Sequence, residues 1–112
     1  NSKDERSAVA AKDAKPSIER GERVYQLFGC MACHSVNGTV EGKVGPSWKG
    51  LYGMERKLKD GKTVSATEAY LKKAIIDPGK ELVEGFEPGM PPYLGILSDA
   101  DIESLILYIK TL

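Results

Sequence analysis

Five consecutive residues, Cys30-Met31-Ala32-Cys33-His34, contain both cysteines and the only histidine of this 112-residue chain. Their order is C-x-x-C-H, the pattern by which a c-type haem is attached. Two thiols three positions apart can add to the two vinyl groups of one porphyrin. A histidine directly after the second thiol lies under the ring, where its imidazole can bind iron. Other uses of the pair fit less well. A structural zinc site needs about four nitrogen or sulfur ligands, so carboxylates would have to complete the set. A thioredoxin-like redox pair opens a helix in a strand-helix-strand unit, whereas a glycine-rich stretch without an apolar strand follows His34. A plain structural disulfide is weaker still.

One histidine excludes bis-histidine coordination by this chain alone, leaving Met, Lys, water or nothing as the second axial ligand. Of three methionines, Met31 lies inside the attachment loop on the His34 side, and Met54 sits beside charged residues. Met90 stands between Pro88 and Pro91-Pro92, with Gly85, Gly89 and Gly95 nearby. Proline restricts the backbone there while glycine permits close approach to another group. Met90 is therefore the expected ligand opposite His34, against the generic use of Met as core filler. A thioether opposite an imidazole favours reduced iron and raises the potential. It also occupies the position where oxygen or peroxide would bind, which disfavours an open-site haem enzyme or gas sensor. Outer-sphere electron transfer is the chemistry that remains.

These residues need a scaffold. Ser17 is placed to cap a helix over residues 18–27 or 18–28, with Ile18, Gly21, Val24, Tyr25 and Phe28 along one stripe. Gly21 on that stripe points to a close helix crossing, a simply tolerated glycine being the competing reading, and Leu105 and Tyr108 are the residues expected opposite Gly21 and Tyr25. After His34 comes an irregular loop to Gly45-Pro46. A metal-bound imidazole usually donates its other N–H to a carbonyl, and the turn at Pro46 is the candidate acceptor, a bare turn being the competing reading. Trp48 and Tyr52 are expected to line the pocket, the indole N–H or phenol O–H reaching a haem propionate. Ordinary core packing is the competing role for at least one of them.

Residues 57–64 centre on Asp60-Gly61, a two-residue hairpin signal for a small surface ribbon. Ser65-Ala66-Thr67-Glu68 reads as a capping box for a helix with Ala69, Tyr70, Leu71, Ala74 and Ile75 available for the inner side, ended by Pro78-Gly79. Ser98-Asp99-Ala100-Asp101 opens the last helix, with Ile102, Leu105, Ile106 and Ile109 at helical spacing.

A chain of this length is one domain with a modest core, which a large apolar cofactor would enlarge. Residues 1–16 are polar and read as a flexible linker or tail, leaving 17–112 as the domain. The formal net charge is zero, and no basic stripe marks nucleic acid as a partner. No apolar run reaches transmembrane length, so this piece is expected to be soluble.

The chain resembles class I cytochromes c on Gly21, Tyr25, Cys30, Cys33, His34, Gly45-Pro46, Met90, Leu105 and Tyr108, over roughly residues 18–112. The resemblance implies an all-α fold of about three to five helices around one covalently bound haem c, with a small hairpin ribbon. More narrowly, Gly45-Pro46-Ser47-Trp48-Lys49-Gly50-Leu51-Tyr52-Gly53, Asp60-Gly61, Ala69-Tyr70-Leu71, Pro78 and Gly89-Met90-Pro91-Pro92-Tyr93 are similar to the cytochrome c domain fused to subunit II of caa3-type cytochrome oxidases. That implies Cys30 and Cys33 as thioether links and His34 and Met90 as iron ligands. It implies an electron carrier, not an enzyme on its own, tethered outside the cytoplasm to a membrane-anchored parent. Its acceptor would be the copper-binding part of the oxidase, and its donor a quinol-oxidising complex or small redox protein. No copper motif is present in this chain, and a freestanding shuttle is the alternative.

Overall fold

The computed structural model describes residues 15–86 and 88–112. The linker expected over residues 1–16 falls outside them, except for Lys15 and Pro16. The described residues form four helices, α1 (Ile18–Leu27), α2 (Cys30–Cys33), α3 (Glu68–Ile76) and α4 (Asp99–Lys110), and two antiparallel strands, β1 (Glu55–Lys57) and β2 (Thr63–Ser65).

Local chemistry sets the ends of the long helices. Ser17 caps α1 by accepting from the Arg20 N–H at 3.1 Å. At α4 the expected capping box is present: Ser98 Oγ accepts from the Asp101 N–H, and the Asp101 carboxylate accepts from the Ser98 N–H. The box expected at Ser65 is displaced. Ser65 is paired with Glu55 in the ribbon, so the cap of α3 falls to Thr67, whose hydroxyl accepts from the Tyr70 N–H at 3.2 Å.

Helices α1 and α4 cross at Gly21. A Cβ there would lie 2.0 Å from the Ser104 carbonyl oxygen and 2.8 Å from Tyr108 Cβ. Ser104 and Tyr108, four residues apart on one face of α4, thus make the contact, and Leu105 points into the core at 1% exposure. Ser104 Oγ accepts from the Ser17 N–H, and the Tyr25 and Tyr108 rings lie 5.8 Å apart. The apolar stripe of α1 differs from expectation at its start. Ile18 is exposed, while Arg20 is buried because its guanidinium meets the fully buried Asp101 carboxylate at 2.7 Å. Removing one partner of such a buried pair costs about 3–5 kcal/mol.

The ribbon also departs from a two-residue hairpin. Lys57 pairs with Thr63, Leu58 N–H donates to Lys62 O, and Gly61 N–H donates to Leu58 O. Three residues, Lys59, Asp60 and Gly61, form the loop, with Gly61 at φ +89° in the left-handed position this turn requires. Nor is the ribbon only a surface feature. Lys59 N–H donates to Leu82 O, Glu84 N–H donates to Lys57 O, and Leu58 bridges Val83, so the ribbon holds the chain that leads toward Met90.

Gly21→Ala forces a methyl group onto a backbone carbonyl that cannot move aside. We expect it to lower unfolding stability by about 3 kcal/mol, read as a drop in the denaturant midpoint.

Candidate haem site

Helix α2 is a single turn that presents Cys30 and Cys33, and His34 leaves it in extended conformation. Both cysteines are free thiols. Burial pushes Cys30 up to about 11, so at neutral pH it is a thiol.

His34 is fixed on several sides. Its Nδ1 lies 2.7 Å from the Pro46 carbonyl oxygen. A carbonyl only accepts, so Nδ1 carries the proton and Nε2 the free lone pair. The Trp48 ring stacks on the imidazole at 5.2 Å and 29°. The peptide of His34 is held as well, its carbonyl accepting from Tyr25 Oη at 2.6 Å. At Gly45 a Cβ would come within 2.4 Å of His34 Cε1, so only a bare α-carbon lets the loop pass beside the ring. Burial lowers the His34 pKa, outweighing the Pro46 carbonyl, which raises it; the Arg56 charge lowers it further. The imidazole is neutral at neutral pH, the form a metal ion takes.

Cys30, Cys33, His34, Pro46, Trp48 and Met90 all line one apolar cavity, closed further by Leu51, Leu71, Ile75, Phe86 and Tyr93. Six of the seven residues expected at the site are thus brought together across 60 positions of chain. The seventh, Tyr52, is not among the lining residues. It is 45% exposed, with the Lys110 ammonium 4.9 Å from its ring centre, because the turn after Leu51 sends Leu51 inward and Tyr52 out.

A polar residue that the motifs did not single out takes a place in this wall. Arg56, on β1, is 9% exposed and lines the cavity. Among the described residues, its Nε is the buried side-chain nitrogen or oxygen without a hydrogen-bond partner. Burial disfavours its charge, and neighbouring Tyr70 partly offsets this. A buried cation with an unmet donor calls for an anion; Glu81, which also lines the cavity, is paired with Lys73 at 2.8 Å, and a haem brings carboxylates of its own to the largely apolar slot. The residues present therefore fit a haem: two thiols, one neutral imidazole, one thioether, apolar walls and one cation. The sequence signal was the period of the ribbon, which puts Arg56 on the same inward face as buried Leu58.

A mostly helical domain with a C-x-x-C-H turn, an oriented imidazole and a thioether on one cavity defines a single-haem electron-carrier class. The chain belongs to the cytochrome c family: the cytochrome c family model matches residues 18–112. It is 27% identical to cytochrome c2 of Blastochloris viridis, covering 93% of this chain and 84% of that protein. It is 28% identical to cytochrome c-550 of Nitrobacter winogradskyi, covering 83% and 88%. Among solved structures, cytochrome cH from Methylobacterium extorquens superposes with a TM-score of 0.59 at 28% identity, over 86% of this chain and 99% of that one. The family's group is covalent haem c, and Cys30 and Cys33 are the chain's two thiols for it.

Gly45→Ala should turn or displace the imidazole, since its methyl group would overlap the ring. We expect a smaller yield of haem-loaded protein and, in what forms, a shifted visible spectrum, while Gly42→Ala, with open space around it but φ +75°, should cost some stability through backbone strain and leave the spectrum unchanged.

Proposed function

We propose that His34 and Met90 are the axial ligands of one haem c bound through Cys30 and Cys33, and that the domain passes single electrons to the copper centre of a caa3-type terminal oxidase. The observation that supports the ligand pair is the shared cavity: His34 and Met90, 56 positions apart, both line it together with the two thiols. When bound, the haem supplies a one-electron iron couple whose reduced form a thioether ligand favours. The chain's own residues do the rest. Pro46 and Trp48 hold the neutral imidazole at one orientation, which keeps reorganisation small. The apolar lining excludes water. Arg56 sets a cation against the haem's carboxylates and favours the state with one more electron.

The acceptor rests on the motif resemblance around Gly45 to Gly53 and Gly89 to Tyr93. On this reading the domain works outside the cytoplasm, carried by a membrane-anchored copper-binding subunit. No helix among the described residues is long and apolar enough to cross a membrane. A freestanding shuttle is the second reading, supported by relatives named cytochrome c2 and c-550, of whose length the chain spans 84% and 88%. The coding sequence upstream of Asn1 separates the two: a copper-binding domain there supports tethering, and a signal peptide directly before it overturns tethering.

Met90→Ala is expected to lower the midpoint potential and to let carbon monoxide bind the reduced protein at neutral pH, which the unmodified protein should resist. Unchanged spectra would remove Met90 as ligand. Arg56→Leu should lower the potential in a spectroelectrochemical titration, by on the order of 1 kcal/mol of lost charge stabilisation; an unchanged potential would remove Arg56 from the haem's surroundings.

A further inference from the structure

Met90 is held by a short loop whose two sides differ in stiffness. On the N-terminal side the last ribbon bond is at Glu84, and Gly85, Pro88 and Gly89 follow, Gly85 at φ +90°. On the C-terminal side only Pro91 and Pro92 separate Met90 from Tyr93, and proline fixes φ in both. Tyr93 is buried at 8% exposure. Its backbone N–H donates to Ile75 O in the last turns of α3. Its hydroxyl donates to the carbonyl of Phe28, the residue two before Cys30, and its ring lines the cavity. The phenol thus spans 65 positions of chain, from the Met90 loop to the segment that carries the attachment cysteines.

We propose that Tyr93 is the positioning residue for Met90: its bond to the Phe28 carbonyl ties the two sides of the haem crevice together, and the Pro91-Pro92 link makes displacement of Met90 require that tie to break. The inference rests on the axial-ligand reading above. Its physical content is a coupling. A thioether can leave iron only if its loop swings away, and a stiff two-residue link carries that swing to Tyr93. Opening the crevice then breaks the phenol–carbonyl bond and exposes a buried phenol ring. Slack on the Gly85 side does not relieve this, because the rigid segment lies on the other side of Met90. Tyr25 plays a different part, its hydroxyl holding the His34 carbonyl.

The test uses the haem-loaded protein and imidazole as a competing ligand for oxidised iron. The readouts are the weak sulfur-to-iron charge-transfer band in the red, which reports a bound thioether, and the imidazole concentration that abolishes it. Tyr93→Phe keeps the ring and removes the tie. It should retain the band at neutral pH but raise imidazole affinity roughly tenfold, the factor set by losing one hydrogen bond. Pro92→Gly keeps the hydroxyl and slackens the link, and should also raise imidazole affinity. Ser104→Ala loosens the distant α1–α4 crossing and should lower the urea midpoint without changing imidazole affinity. If the unmodified protein lacks the band, the axial-ligand reading fails and the tie with it. If the band is present and either loop variant binds imidazole like the unmodified protein, the tie alone is overturned. Equal gains in affinity for Ser104→Ala and Tyr93→Phe would also overturn it, by tracing the effect to general loss of stability.

Discussion

Everything at this site depends on an imidazole that cannot rotate. His34 follows the second cysteine directly, so its backbone position is set by the attachment turn, but its ring plane is not. The Pro46 carbonyl at 2.7 Å fixes the tautomer and one edge, the Trp48 ring covers a face, and the missing side chain at Gly45 leaves the space in which the ring stands. Pro46 and Trp48 belong to one turn, which is tied back by the Trp48 N–H to Ser35 O and the Gly45 N–H to Cys33 O. The imidazole and its support are thus one hydrogen-bonded unit of about fifteen residues, which the helical frame only has to hold in place.

That frame is built around the α1–α4 crossing. Gly21 lets α1 approach α4 to backbone contact, and the Arg20–Asp101 pair lies buried beside it. The same Asp101 closes the capping box of α4, so one carboxylate serves two elements and its desolvation is offset by three donors. A buried pair of this kind adds little net stability relative to apolar packing, but it is costly to break, which favours one crossing geometry over its neighbours. The consequence for function is positional: Tyr25, on the face of α1 that crosses α4, reaches the His34 carbonyl and packs 5.0 Å from Trp48.

The opposite wall is built by different means. It has little regular structure, and its order comes from the ribbon bonds at Leu82 and Glu84 and from Tyr93. A wall of this design can be rigid where proline and a buried phenol meet and yielding where glycines lie. On the proposed ligation, this suits a thioether that must stay on iron through changes of oxidation state.

What the sequence by itself determined was what adjacent residues determine. The C-x-x-C-H turn, the Ser17 and Ser98 caps and the glycine on the α1 stripe were legible because each acts within one or two turns of chain. The proline-flanked Met90 and the Gly45-Pro46 turn were legible as candidates for the same reason, and the tertiary structure brought both to one cavity. Tertiary structure alone decided the rest. Arg56 turns inward because a ribbon alternates its faces, and three consecutive charges in the sequence hide that alternation. Tyr52 turns outward because Leu51 takes the inner position. The capping residue of α3 moves from Ser65 to Thr67 because strand pairing claims Ser65. Arg20 finds Asp101 across 81 positions and Tyr93 finds Phe28 across 65. Such bonds have no local signature, since a donor and an acceptor far apart in the chain become partners only when packing of the apolar faces has already brought their backbones together.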